Sequence, residues 1–215
     1  MLQVNHLSGF GGASSVTRMA FLTSTTSVLE TITCPTILPF DVGVLIDFAG
    51  DFSAIPSQVV PSGFTSLKTD TVSFYRGTAS YKVFNGTESG TSLTGQASDD
   101  ALLSKILLVF RPNGVINTVT TSTWLGEATA GNPAAQAIAA AGQPAPLIRI
   151  AGGSVNVGTT PSFSAGTFDA TVTQASGSTL QIAGYTVQNS SPSDDSVDMA
   201  DFGTNWLVSG CLRFS

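Results

Sequence analysis

Charge is what this sequence has least of. Asp, Glu, Lys and Arg make up 10% of its 215 residues, against roughly 25% in an ordinary soluble domain. A coiled coil or long-helix protein, which needs Glu, Lys and Arg in quantity, is thereby excluded. Histidine occurs once, at His6. A Ser-His-Asp or Cys-His relay therefore has no imidazole outside the N-terminal stretch, and one His with two distant Cys cannot supply a zinc site. Those two thiols, Cys34 and Cys211, make no disulfide framework in a chain this long and read as small core residues. No run reaches the ~18 apolar residues of a transmembrane helix. Met1 to His6 lacks the basic segment leading into an apolar one that marks a secretory signal, so the chain is expected to accumulate in the cytoplasm of the cell that makes it. With 14 acids against 8 bases the net charge is −6 and the pI is near 4.4, so no basic surface is available for a phosphate backbone.

Neutral polar groups fill the gap. Ser and Thr each occur 27 times, 54 positions in all, beside 22 Gly and 10 Pro. The mean hydropathy of +0.27 leaves ample apolar surface to bury and argues against disorder. Short β-type runs bounded by Gly, Pro, Asn, Asp and Ser recur along the chain, the spacing of a sandwich or barrel. Val44, Ile46 and Phe48 alternate onto one face, and further runs fall at 78–84, 106–110, 115–121, 146–151, 168–173, 180–188 and 206–214. Residues 50–63, with Pro56 and Pro61, read as a long loop. The Ala-rich stretch 133–141 has helical propensity, but an all-β context favours a strand of small residues. The predicted class is all-β, an antiparallel, jelly-roll-like β-sandwich. Residues 1–15 form an N-terminal arm in this reading and 16–215 a single domain. Asp47, Lys82 and Arg149 fall at alternate strand positions, where they would face solvent among Ser and Thr.

The two halves echo one another. At an offset of 104, Val44 aligns with Ile148, Ile46 with Ile150, Phe64 with Phe168, Tyr81 with Tyr185, Val83 with Val187, Asn85 with Asn189, Leu108 with Leu212 and Phe110 with Phe214. An even offset keeps each side chain on the same face of its strand. A Ser/Thr/Gly-rich β-protein yields some matches by chance. The other reading is a duplicated unit, with halves at about 16–125 and 126–215 packed face to face.

Two groups of residues are candidates for chemistry. Asp194, Asp195, Asp198 and Asp201 concentrate four of the 14 acids. Such oxygen ligands suit calcium, but the spacing lacks the alternating Asp positions and closing Glu of a calcium loop, and a solvated acidic loop explains it as well. Trp124, Trp206, Tyr75 and Tyr185 would be the contact residues if the chain bound a glycan, the alternative being core packing. Gly9, Gly11 and Gly12, and Gly152-Gly153, lack the Lys-Ser/Thr of a phosphate loop. No cofactor and no catalytic residue is assigned.

In order along the chain stand Gly43-Val44-Leu45-Ile46-Asp47-Phe48, Pro61-Ser62-Gly63-Phe64, Tyr81-Lys82-Val83, Phe110-Arg111-Pro112, Pro144-Ala145-Pro146-Leu147 and Gly210-Cys211-Leu212-Arg213-Phe214. This order resembles a family of β-sandwich proteins encoded in tailed-phage and prophage genomes, with Phe64 standing where Trp is usual. The resemblance implies a non-enzymatic structural role in the virion, as an exposed tail appendage or fibre or as a capsid decoration. It implies other virion proteins as partners and homo-oligomerisation, with residues 1–15 ordering on a neighbouring subunit. The alternative is an adhesin module for a host-surface glycan. Nucleic acid and membrane insertion are not expected.

Overall fold

The computed structural model describes the chain apart from residues 1–2, 11–13, 21–28, 35, 51–59, 73–74, 97–101, 112–117, 129–132, 144–146, 157–161, 177–178, 189–190, 200–203 and 215. Among the described residues the regular structure is all strand. In chain order the strands are β1 (Gln3–Phe10), β2 (Ser14–Ala20), β3 (Leu29–Thr33), β4 (Val42–Gly50), β5 (Thr65–Val72), β6 (Tyr75–Val83), β7 (Ser92–Gln96) and β8 (Leu102–Phe110). They continue as β9 (Val119–Thr121), β10 (Leu125–Ala128), β11 (Gln136–Ile138), β12 (Leu147–Asn156), β13 (Ala170–Ser176), β14 (Thr179–Gln188), β15 (Asp195–Val197) and β16 (Thr204–Phe214). The Ala-rich stretch thus holds a strand. Its alternation decides this, since Gln136 and Ile138 are buried and Ala137 is exposed.

Two antiparallel sheets face each other. The first runs β5-β6-β4-β8 and the second β13-β14-β12-β16, with β10 and β9 added on the far edge of β16. Val42, Val44, Ile46, Phe48, Ile106, Leu108 and Phe110 from the first sheet meet Ile148, Ile150, Tyr185, Trp206, Val208 and Leu212 from the second in one core. The first half of the chain makes the whole of one central sheet and the second half the other. The antiparallel all-β class expected from the sequence is borne out, while the two Greek keys of a jelly roll are not shown by this path.

Each sheet is also covered on its outer face. The two-stranded sheet β3-β7 lies over the first, where Cys34, Ile37, Leu45, Phe84, Leu93, Leu107 and Val109 form a second core. The pair β11-β15 lies over the second, where Ile138, Leu147, Ala151, Val197, Met199, Leu207 and Cys211 form a third. Strands buried on both faces read as unbroken apolar runs rather than as alternation, which accounts for Ile106-Leu107-Leu108-Val109-Phe110. It also corrects the placement of two charges expected in solvent. Asp47 and Arg149 point away from the central core, yet they are 1% and 5% exposed. Lys105 Nζ sits 2.6 Å from Asp47 Oδ2, and Arg149 Nη1 2.7 Å from Asp195 Oδ2.

At the N-terminus β1 and β2 pair as an antiparallel hairpin. The boundary drawn between residues 15 and 16 from the sequence falls inside β2.

Candidate functional site

The four aromatic candidates are elements of the core. Trp206 is fully buried on β16, its ring 6.1 Å from that of Phe48 in a stacked arrangement, and its Nε1 donates to Asp70 Oδ2 at 3.2 Å. Tyr185 is fully buried, edge-on to Phe110 with ring centroids 5.4 Å apart. Trp124 is 5% exposed and lies across Gly210, where a side chain would collide with its indole. Tyr75 is partly buried and stacks on Phe48 at 5.9 Å. Core packing, the alternative weighed for them, describes Trp124, Trp206 and Tyr185, while Tyr75 keeps a partly exposed ring. A sugar platform needs an open aromatic face, and Trp124, Trp206 and Tyr185 are enclosed. The period-2 pattern that made Trp206 a strand residue also turned it inward, toward the sheet holding Phe48.

The acidic segment is spent on the protein's own backbone. Asp194 Oδ1 accepts the amides of Ala140 and Ala141 at 2.8 and 2.7 Å, and these hydrogen bonds, that of Ala141 first, hold its carboxyl below the ordinary aspartate value. Asp195 Oδ2 faces Arg149 and accepts the Thr167 amide at 3.0 Å. Asp198 Oδ1 accepts the Met199 amide, and its carbonyl accepts from Ser164. Asp201 lies outside the described residues. Asp194, Asp195 and Asp198 thus point to separate partners: Asp194 ties the start of β15 to the turn after β11, Asp195 and the Asp198 carbonyl tie it to the loop between β12 and β13, and the Asp198 carboxylate caps its own neighbour. Among the described residues no three acidic, His or Cys side chains converge as a metal site would require.

The sequence reading missed the turn that enters β4. Asp41 is fully buried and organises it. Its Oδ2 accepts the Leu38 amide at 2.8 Å, and its two oxygens take Nε and Nη2 of Arg111 at 2.9 Å each. The Asp41 amide donates to the Leu38 carbonyl, and the Phe40 amide to that of Phe84. The charged pair holds the Arg111 guanidinium above its already high ordinary pKa. So constrained, Phe40 adopts a φ of 71°, a conformation a bulky side chain rarely enters. The turn presents Leu38 at 46% exposure and Phe40 at 38%, beside Val83 at the end of β6 at 37%. Asp41 stands between Phe40 and the β4 run, in the phase of a turn residue, and its Arg111 partner is 70 positions away, so sequence spacing carried no signal for it.

A second braced loop follows β6. Glu88 accepts the amides of Asn85 and Gly86 at 3.1 Å each and faces Lys82 Nζ at 3.1 Å. Burial pushes its carboxyl up, but the Lys82 ammonium and the amides outweigh that and hold it low. Both cysteines are free and buried. Desolvation raises the Cys34 thiol and pushes Cys211 up to about 11, the opposite of what a nucleophilic thiol needs.

No described helix is long and apolar enough to cross a membrane. No family model matches the chain, and comparison with curated proteins and with solved structures found no match.

Proposed function

We propose that this protein is a non-enzymatic structural component of a bacteriophage particle, an exposed tail appendage or fibre or a capsid decoration. The observation that carries the reading is the use made of its polar side chains. Asp41, Glu88, Asp194 and Asp195 each hold a loop of the protein's own fold, while the turn braced by Asp41 offers apolar groups, Leu38 and Phe40, to the outside. A backbone conformation held at a cost by surrounding contacts is more consistent with a function than with a relaxed loop. Here the constrained residue is an aromatic placed outward, as a contact surface for a neighbouring virion subunit requires. The resemblance of its motif order to that of phage sandwich proteins supports the same setting, and a surface of Ser and Thr suits close packing beside other subunits.

Two measurements test this. Mass-spectrometric inventory of purified particles is expected to find the chain at many copies per particle, and its absence overturns the reading. The doubly substituted Leu38→Ser, Phe40→Ser protein is expected to keep its far-UV spectrum and thermal midpoint but to be incorporated at least about tenfold less, the loss of roughly 1.4 kcal/mol of contact. Unchanged incorporation removes the turn from the proposed interface.

A further inference from the structure

The two central sheets share more than a strand order. The sheet β5-β6-β4-β8 corresponds to β13-β14-β12-β16 strand for strand, and adding 104 carries one set of pairings onto the other. Across β4 and β8, Val44 pairs Leu108 and Ile46 pairs Ile106. Across β12 and β16, Ile148 pairs Leu212 and Ile150 pairs Gly210, the same positions plus 104. Thr69 with Thr78 and Thr71 with Arg76 become Thr173 with Ile182 and Ala175 with Leu180.

The covering layers obey the same offset. Ile32 with Leu93 and Thr33 with Ser92 become Gln136 with Val197 and Ala137 with Ser196. Even the outer cores match. Cys34, Leu93 and Leu107 under the first cover stand where Ile138, Val197 and Cys211 stand under the second, with Phe64 and Phe168 at their margins. Two departures stand: a bulge at Ser66–Lys68 lets Ser66 pair Ser80 where Ala170 pairs Tyr185, and the second lies between β4 and β6. Val44 pairs Tyr81, whereas Ile148 pairs Val187 and Tyr185 pairs Ile150, a slip of two residues that leaves every side chain on its original face.

The way the sheets meet is reciprocal at its centre, although among the described residues β8 also lies against β13 with no comparable contact of β16 on β5. β8 of the first lies against β14 of the second, and β16 of the second against β6 of the first. Exchanging the two units turns either contact into the other, the signature of a two-fold interface between like subunits.

We infer that the chain is a fused dimer, two copies of one six-stranded unit at 29–110 and 133–214, joined in tandem and packed as an isologous pair. The equivalence extends to the edges. β16 has its outer edge paired by β9 and β10. Its counterpart β8 ends its sheet among the described strands, and β2 lies alongside it. The sequences before the two units also read alike, Val16-Thr17 and Phe21-Leu22 against Val119-Thr120 and Trp124-Leu125. The β2 segment is thus the first unit's version of β9, and the edge of β8 is its docking surface. Residues 111–132 therefore serve as both the link between units and the second unit's edge segment. This inference stands apart from the virion reading, and either can fail without the other.

Two experiments decide it. In a permuted full-length chain, Ser215 is joined to Met1 and new ends are opened between residues 131 and 132, so that residues 1–28 become the inter-unit link. A two-fold pair places the 214-to-29 gap and the 110-to-133 gap in equivalent positions. The permuted protein is expected to be monomeric, with an unchanged far-UV spectrum and a thermal midpoint within about 8 °C. Aggregation or a larger loss overturns the fused dimer. In a protein lacking residues 1–20, β8 amides not bonded to β4 are expected to exchange on the order of tenfold faster while those of β16 keep their rates. If β8 exchange is unchanged, the assignment of β2 to its edge is wrong.

Discussion

Gly77 on β6 is the position where a single methyl group should be felt most. A Cβ built there would lie 2.1 Å from Cε2, 2.3 Å from Cδ2 and 2.4 Å from Nε1 of Trp206. These atoms belong to a fully buried ring stacked on Phe48 and tied by Nε1 to Asp70, so it has nowhere to retreat. Overpacking of this kind costs about 1–3 kcal/mol, and a planar ring pinned on several sides puts Gly77→Ala toward the upper end. At about 2–4 °C per kcal/mol for a chain of this size, the midpoint should fall by roughly 4–12 °C. Urea unfolding followed by tryptophan fluorescence and circular dichroism measures the same quantity independently. The cause can be isolated with a second substitution. Trp206→Ala is itself expected to cost about 3–5 kcal/mol, but in that background Gly77→Ala should cost less than about 0.5 kcal/mol, because the colliding ring is gone. If Gly77→Ala is neutral, or costs the same with and without Trp206, the close approach of β6 to Trp206 is not what requires glycine.

Asp41→Ala should destabilise by about 2–4 kcal/mol, since it leaves the part-buried Leu38 amide and the Arg111 guanidinium without their acceptor; a midpoint unchanged within error refutes its role in the turn. Asp194 stabilises its loop through a carboxylate held below the ordinary value of 3.8. That stabilisation is complete above 3.8 and is lost as the pH falls below it through the lower folded value. Ala140 and Ala141 amide protection should fade in that window, and Asp194→Asn should flatten the pH dependence. Cys34 and Cys211 should resist iodoacetamide at pH 8 in the native protein and react in urea, because burial raises both thiols. Rapid native labelling of either would contradict its burial in an outer core.

Much of the architecture could be read from residues alone. Val44, Ile46 and Phe48 declare a strand with one apolar face by period-2 alternation, and they line the central core. Gln136 to Ile138 defeated propensity, since alanine favours a helix, but the burial of Gln136 and Ile138 by β15 and the outer core overrode that local preference. The offset of 104 was also visible, because a repeated fold needs apolar groups at repeated positions.

Other features were beyond local reading because they depend on what lies across a sheet. Tyr185 and Trp206 have the composition of a binding platform and the position of core residues. Only the opposing sheet, which supplies Phe110 and Phe48, distinguishes the two. Asp47 and Arg149 occupy outward phases of their strands, and alternation alone sends such positions to solvent. Both are buried instead, Asp47 against Lys105 of β8 and Arg149 against Asp195 of the covering strand β15. The sequence by itself determined the strands and their apolar faces, since these follow from the two-residue period and from composition. Tertiary structure alone decided which faces are covered twice, which aromatics are enclosed and which acids brace loops, because burial and ion pairing arise between residues tens of positions apart.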